Sequence, residues 1–336
     1  MKVKRRVVNA VVTSVLAVIA ISVAVAMLVY VNSFEHEKVA DRFSKGTRFT
    51  QITLFIPASE EFTVDKVMYF RYNLENKLTE KAVTPENEGA RLYVDAYSSY
   101  SDATLNSNSN RTTNAKIAFI GGDYKLFHSA FSELPDIAND INHDRILLSR
   151  SAAWQLYGGT ELYDYTAQKG DKTYLISGVF EDFKGKEYDQ FYEERTAAVA
   201  DMQSEAEMPI TCYELIVVDP VKNFGIDTVK ECIDLSEGSY YIVENSKRFS
   251  LSKLFAKIPE LVQADKPLPT GVEITPEEIA ARRAEKVLAA MLIVFLLFAV
   301  YPFIWLLILI YRLIRMIKKG LNKYVFGKIK DKFSYS

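Results

Sequence analysis

Arg145 to Gly159 reads RILLSRSAAWQLYGG. Arg145 to Leu148 is a short apolar run suited to a strand. Ser149 stands where an N-cap belongs, its hydroxyl placed to accept a free N–H of the first helical turn. The helix it opens ends at Tyr157, and Gly158 is its stop. A strand passing directly into a helix places α and β structure in one domain. Downstream, Thr166 to Lys172 encloses a Lys-Gly-Asp turn, and Thr173 to Phe180 (TYLISGVF) is the returning strand.

Upstream, Thr50 to Ile56 (TQITLFI) alternates as a strand does. Val67, Phe70, Leu74 and Leu78 then recur at helical spacing, one face of an amphipathic helix over roughly 63–82. Arg91 to Ser98 and Ala115 to Ile120 read as strands, and Asn106 to Asn110 (NSNSN) as the turn of their hairpin. Beyond Asp182 the pattern weakens. The acidic segment Asp182 to Met208 reads as part loop and part helix. Cys212 to Val218 is β-rich, Ile226, Val229 and Ile233 mark a short helix, Ser239 to Val243 is a strand, and Ser250 to Leu261 is a helix. Pro267 to Gly271 is a linker.

At both ends the composition changes. Val7 to Val31 is 25 residues without a charge, and Val287 to Ile310 is 24. Each exceeds the ~20 residues that cross the hydrocarbon core of a bilayer as a helix. Pro302 is expected to kink the second. Tyr30 and Tyr311 lie at interfacial positions. The first run is longer than a signal-peptide core and continues past Ala24-Val25-Ala26, so it is read as an uncleaved anchor. The chain's net charge of −2 conceals an asymmetry. Residues 1–31 hold four cations and no acid, residues 312–336 eight cations and one acid, and residues 32–285 sum to −14. Lys2, Lys4, Arg5 and Arg6 precede the first span; Arg312, Arg315, Lys318, Lys319 and Lys323 follow the second. Both termini are therefore expected in the cytoplasm and the middle outside. Arg282, Arg283 and Lys286 oppose this, partly offset by Glu277, Glu278 and Glu285.

Thr275-Pro276-Glu277-Glu278 is a capping box with proline at the first helical position. A helix from Pro276 to Tyr311 would rise ~54 Å, more than the ~30 Å a bilayer needs. The excess is a candidate stalk, matched by residues 32–45 after the first span. A helix that merely starts early is the competing reading.

Three segments together resemble the MacB-type periplasmic core domain of FtsX-like ABC permeases. They are FIGGDY at Phe119–Tyr124, RILLSRSAAWQLYGG at Arg145–Gly159, and YLISGVFED at Tyr174–Asp182. Each piece also has a mechanical reason: an N-cap, a close-packed Ala152, a helix stop and a strand end. The order of elements agrees over roughly 1–312. Together with the two apolar runs, the resemblance implies an α+β fold, with two transmembrane helices flanking a mixed α/β extracytoplasmic domain of two lobes. Members of that family have four spans and a cytoplasmic coupling segment. Here the sequence ends 24 residues after Arg312, so a reduced, two-span form is expected. Leu313, Met316, Ile317 and Leu321 make its tail a basic amphipathic helix for the inner leaflet.

No catalytic, cofactor-binding or metal-binding residue is assigned. His36, His128 and His143 do not cluster with cysteines. Cys212 and Cys232 leave two readings open, one disulfide or two buried thiols. No phosphate-binding Gly-rich loop is present, so the chain is not itself expected to be an ATPase. Asp140, Asn142 and Asp144 match the start of a calcium loop, which then fails at Arg145 and Ser151. Glu181-Asp182 and Glu193-Glu194 read as solvated surface rather than acid/base pairs. The acidic middle argues against nucleic acid.

The expected partition is residues 1–31 as N-terminus and first span, 32–274 as the outer core domain, 275–311 as stalk and second span, and 312–336 as a basic cytoplasmic tail. The expected function is a membrane subunit of an ABC-type transport or mechanotransmission system in the cell membrane, without bond chemistry. Its partners would be the lipid bilayer, an ABC ATPase and/or a permease subunit, with homo- or hetero-oligomers open. The alternative is a membrane-anchored extracellular binding or sensing module.

Overall fold

A computed structural model describes residues 2–43, 46–85, 87, 89–128, 131, 137, 143–263 and 267–333, with the side chains of 2–6, 35 and 319–333 outside the description. By internal contacts the chain divides into two units. One comprises Phe34–Lys253 and Ala264–Glu285; the other comprises Met1–Ser33, Leu254–Gln263 and Lys286–Ser336.

The first unit is built on a sheet in the order β3-β7-β4-β6-β5-β2-β8-β1-β9. The strands are β1 (Phe49–Phe55), β2 (Tyr93–Ser107), β3 (Thr112–Gly122), β4 (Arg145–Ser149), β5 (Thr166–Lys169), β6 (Lys172–Phe180), β7 (Thr196–Asp201), β8 (Cys212–Val218) and β9 (Tyr241–Glu244). Its topology resolves into two lobes that share β2. In the first, β9, β1, β8 and β2 lie side by side and all neighbours are antiparallel. Helix α3 (Val64–Glu80) connects β1 to β2, and α7 (Phe224–Cys232) connects β8 to β9. This is the split β-α-β arrangement of ferredoxin-like sheets. In the second lobe the pairings close on themselves. β3 pairs β7, β7 pairs β4, β4 pairs β6, β6 pairs β5, β5 pairs β2, and β2 returns to β3. Closure leaves that ring without a free edge. β2 has to be long to serve both lobes. Tyr93–Ser98 pairs with β8, and Leu105–Ser107 pairs with β5.

Local chemistry explains these elements. Val64, Val67, Phe70, Leu74 and Leu78 of α3 are buried, one helical face laid on the sheet. Helix α5 (Arg150–Tyr157) opens as its sequence requires. Ser149 Oγ accepts from the Ala152 N–H at 3.3 Å, and Gly158 closes it at φ +73°. Ala152, Ala153 and Leu156 are buried with the ring's apolar side chains, including Ile117, Ile146 and Ala198. A second cluster joins Val94, Ala118 and Val199 of the strands to Tyr124 and Phe127 of α4 (Tyr124–Phe127). It also takes in Tyr192 at the end of α6 (Lys186–Tyr192).

Several expectations change. Of the stalk expected over residues 32–45, the described residues 33–43 do not extend the first long helix. α1 (Lys2–Asn32) ends, a 3-10 turn covers Glu35–Lys38, and α2 (Val39–Phe43) lies on the domain. Val39 and Ala40 are buried, and the Val39 N–H donates to Gln51 Oε1 at 3.0 Å. Apolar burial there overrides a stalk. The hairpin strands run well beyond the expected bounds, and the acidic segment after Asp182 contains β7. Helix α8 (Leu251–Lys257) is shorter than expected, with a 3-10 turn over Pro259–Leu261. Helix α9 spans Pro276–Phe333 as one element across Pro302, so the tail is not a separate helix.

Among the described residues, two helices are long and apolar enough to cross a membrane. The stretches are Val7–Asn32, mean hydropathy 2.7, and Pro276–Lys318, mean hydropathy 2.9. Their most apolar windows are 11% and 0% buried. A core helix of a water-soluble domain would hide such residues, whereas Leu28, Val29, Leu297 and Phe303 lie exposed. α1 runs unbroken through Ala24-Val25-Ala26.

Candidate functional site

The first turns of α9 are where the domain holds the helix that continues into apolar residues 287–310. Thr275 caps the helix, its Oγ1 accepting from the Glu278 N–H at 3.4 Å. The other half of the expected capping box is put to different use. The Glu278 carboxylate takes two hydrogen bonds from Arg248, at 2.6 and 3.0 Å, and one from Arg282 Nε at 2.8 Å. Arg248 also reaches Glu285 at 2.8 Å and Glu37 at 3.2 Å. Arg248, Glu37 and Glu278 are all but excluded from solvent. One guanidinium, with its fixed fork of donors, thus gathers three carboxylates from two distant stretches of chain. The Arg282 guanidinium lies over the Tyr241 ring of β9 at 4.6 Å.

A second cluster holds the next carboxylate. His128 Nε2 is 2.5 Å from Glu214 Oε2 on β8, and its Nδ1 faces Glu277 Oε1 at 3.6 Å. Tyr188 of α6 donates to Glu277 Oε1 at 2.8 Å. Tyr124 stacks on the imidazole at 4.2 Å between centroids. Burial works against charge on His128, but Glu214 and Glu277 prevail and hold its pKa up at about 10. Glu187 of α6 pairs with Arg283, further along α9. The root of α9 is therefore tied to both lobes. Arg248 and Tyr241 hold it from the β9 end of the split lobe, and α6, in the β6–β7 connection, holds it from the ring.

A separate cleft of about 930 Å³ lies between α3 and the start of β2, bordered by Met68, Arg71, Tyr72, Glu75, Tyr93 and Asp123. Its charges are engaged. Arg71 forks onto Asp95 at 2.8 and 2.9 Å, Tyr213 donates to Asp95 at 2.5 Å, and Tyr93 donates to Glu75 at 2.7 Å.

The groups weighed in the sequence fall apart in space. Asp140 and Asn142 lie outside the described residues; Asp144 pairs with Lys172 at 3.1 Å. Glu181 pairs with Arg150, and Asp182 accepts from the Ser151 N–H at 3.2 Å. Glu193 pairs with Arg195 at 2.9 Å. His143 pairs with Asp201, and His36 lies 3.3 Å from Glu37. Cys212 and Cys232 are separate buried thiols, both pushed up in pKa by burial. Arg248, Glu37, Glu214 and the pairing role of His128 were not anticipated. One signal was available for Glu214, a lone carboxylate inside the otherwise apolar run CYELIVV. Arg248 carries no comparable mark.

No protein-family model matches the chain, and no curated protein matches it. Among solved structures, it is similar to the periplasmic region of MacB from Actinobacillus actinomycetemcomitans. That likeness has 10% identity and a TM-score of 0.37, and covers 65% of this chain and 94% of that one. It is also similar to the extracellular domain of the ABC-type transporter YknZ from Gram-positive bacteria. There the identity is 12% and the TM-score 0.36, over 58% of this chain and all of that one. The three sequence segments that resemble the MacB-type core fall on β3 with α4, on β4 with α5, and on β6. All three strands belong to the ring.

Proposed function

We propose that the chain is a membrane subunit of an ABC-type transport or mechanotransmission system. Its folded domain lies outside the membrane, both termini lie in the cytoplasm, and it performs no bond chemistry. Movement generated by an ATPase on the inner side, alone or with a permease partner, is delivered to the domain through α9. The observation that carries this reading is the Arg248 cluster. It fixes Glu37, just after α1, and Glu278 and Glu285 of α9 to one buried cation. The segments by which the chain enters and leaves the domain are thereby tied at a single point. A buried ionic cluster adds little net stability over apolar packing, but it fixes geometry. Fixed geometry is what a transmitted movement requires. The basic flanks at Lys2–Arg6 and Arg312–Lys323 support the orientation.

A mild-detergent pull-down of the tagged chain from its native membrane, read by mass spectrometry, tests this reading. Recovery of an ABC ATPase, with or without a four-span permease, is expected. Recovery of the chain alone, or with a sensor kinase, overturns it. The second outcome would favour a binding or sensing module, for which the 930 Å³ cleft beside α3 is the candidate receptor surface.

A further inference from the structure

The two clusters at the root of α9 are not equally tight. Arg248 meets Glu278 through two short bonds and Glu285 through a third. His128 is tight on one side only. Its Nε2 lies 2.5 Å from Glu214, whereas 3.6 Å separates its Nδ1 from Glu277, beyond hydrogen-bond reach. Among the described residues, Nδ1 of His128 and Oε2 of Glu277 are both buried without a hydrogen-bond partner, as is Oε2 of Glu37 in the Arg248 cluster. Unsatisfied buried polar atoms raise the free energy of the closed arrangement and lower the cost of parting it. The weak face of the imidazole is the one turned to α9, whose Glu277 is held more closely by Tyr188 of α6.

We propose that His128, Glu214 and Glu277 form a latch that fastens the root of α9 to β8 and parts between His128 and Glu277, while Arg248 keeps its hold. His128 stays with Glu214 when the latch opens, so the sheet is undisturbed and α9 is released from β8 while Tyr188 and Glu187 of α6 still hold Glu277 and Arg283. Among the described residues, the titratable groups facing the imidazole are Glu214 of β8, Glu277 of α9 and Tyr124 of α4, with Cys212 of β8 near Tyr124. Tyr188 and Tyr192 of α6 face Glu277, and Tyr100 of β2 faces Tyr124. Burial raises the pKa of Cys212 and of all four tyrosines, which keeps them neutral where the imidazole titrates. The latch stands apart from the transport reading, because testing it needs neither an ATPase nor a substrate.

The test is amide hydrogen exchange on the full chain in lipid nanodiscs at neutral pH. The unaltered protein is compared with Glu277→Gln and with His128→Gln. In Glu277→Gln the His128–Glu214 pair survives, so β8 keeps its partner. Protection of amides at 277–285 is expected to fall about tenfold or more, with β1 and β8 unchanged. Loss confined to α9 in either variant supports the latch. Any pattern in which neither variant loosens α9 alone overturns it, whether protection is unchanged or β8 loosens as well.

Discussion

Arg248 is one cation set against three buried or nearly buried carboxylates. Replacing it by alanine takes that cation from Glu37 and Glu285 and leaves Glu278 with Arg282, where little water can screen them. Arg248→Ala is expected to cost about 3–5 kcal/mol, measured by denaturant unfolding of the solubilised chain. Arg248→Lys keeps the charge but loses the fork, and should fall between the two. His128 gives the domain a pH dependence with a definite sign. Unfolded, the imidazole holds its proton below its ordinary value of 6.5; folded, it holds it up to about 10. The folded state therefore binds the extra proton between those values. The stabilisation is whole below pH 6.5 and drains away as pH rises towards 10. Unfolding midpoints taken at pH 6, 8 and 9.5 should show this decline from His128, and His128→Gln should flatten it. A slope that persists in the variant would assign the effect to another group.

Among the elements, β3 shows how closely backbones approach. Gly122 ends the strand at φ +70°, and a Cβ there would lie 2.5 Å from the Asp95 carbonyl oxygen. Both the left-handed backbone and the contact exclude a side chain. Gly122→Ala should lower stability by about 1–3 kcal/mol, and a thermal melt no lower than that of the unaltered protein would contradict the crowding. Elements with a periodic face were legible in the sequence. The spacing Val67, Phe70, Leu74, Leu78 located α3 within two residues at each end, and Ser149 with Gly158 delimited α5. Cys212–Val218 was read to the residue. β7 was missed because its run TAAVAD is buried along its whole length, so small residues replace alternation. The ionic anchor was missed for a related reason. Burial of a charge is decided by partners far away in sequence, and local pattern does not register them. Glu277 and Glu278 were read as helix-cap acids, and their partners Arg248 and His128 lie on loops that nothing local distinguishes.

At the scale of the whole chain, topology across the membrane is open to direct labelling. Tyr163 is 84% exposed on the ring. A single Tyr163→Cys in a Cys212→Ala, Cys232→Ala background should react with an impermeant maleimide on intact cells. Labelling only after lysis would reverse the proposed orientation. The same chemistry checks the native thiols, which should stay unlabelled until the protein is denatured. The Arg248 anchor also has a consequence for the protein's birth on the ribosome. Glu37 is made 211 residues before Arg248, and Glu278 follows 30 residues later. At roughly 5–20 residues per second, Glu37 waits on the order of 10–40 s for its partner. The sheet can be complete in outline while the anchor still lacks α9. Through that interval Glu37 lacks its cation, and until α9 is made the imidazole of His128 lacks Glu277 and Arg248 lacks Glu278 and Glu285. Emergence of the last helix is the event that ends this half-locked form.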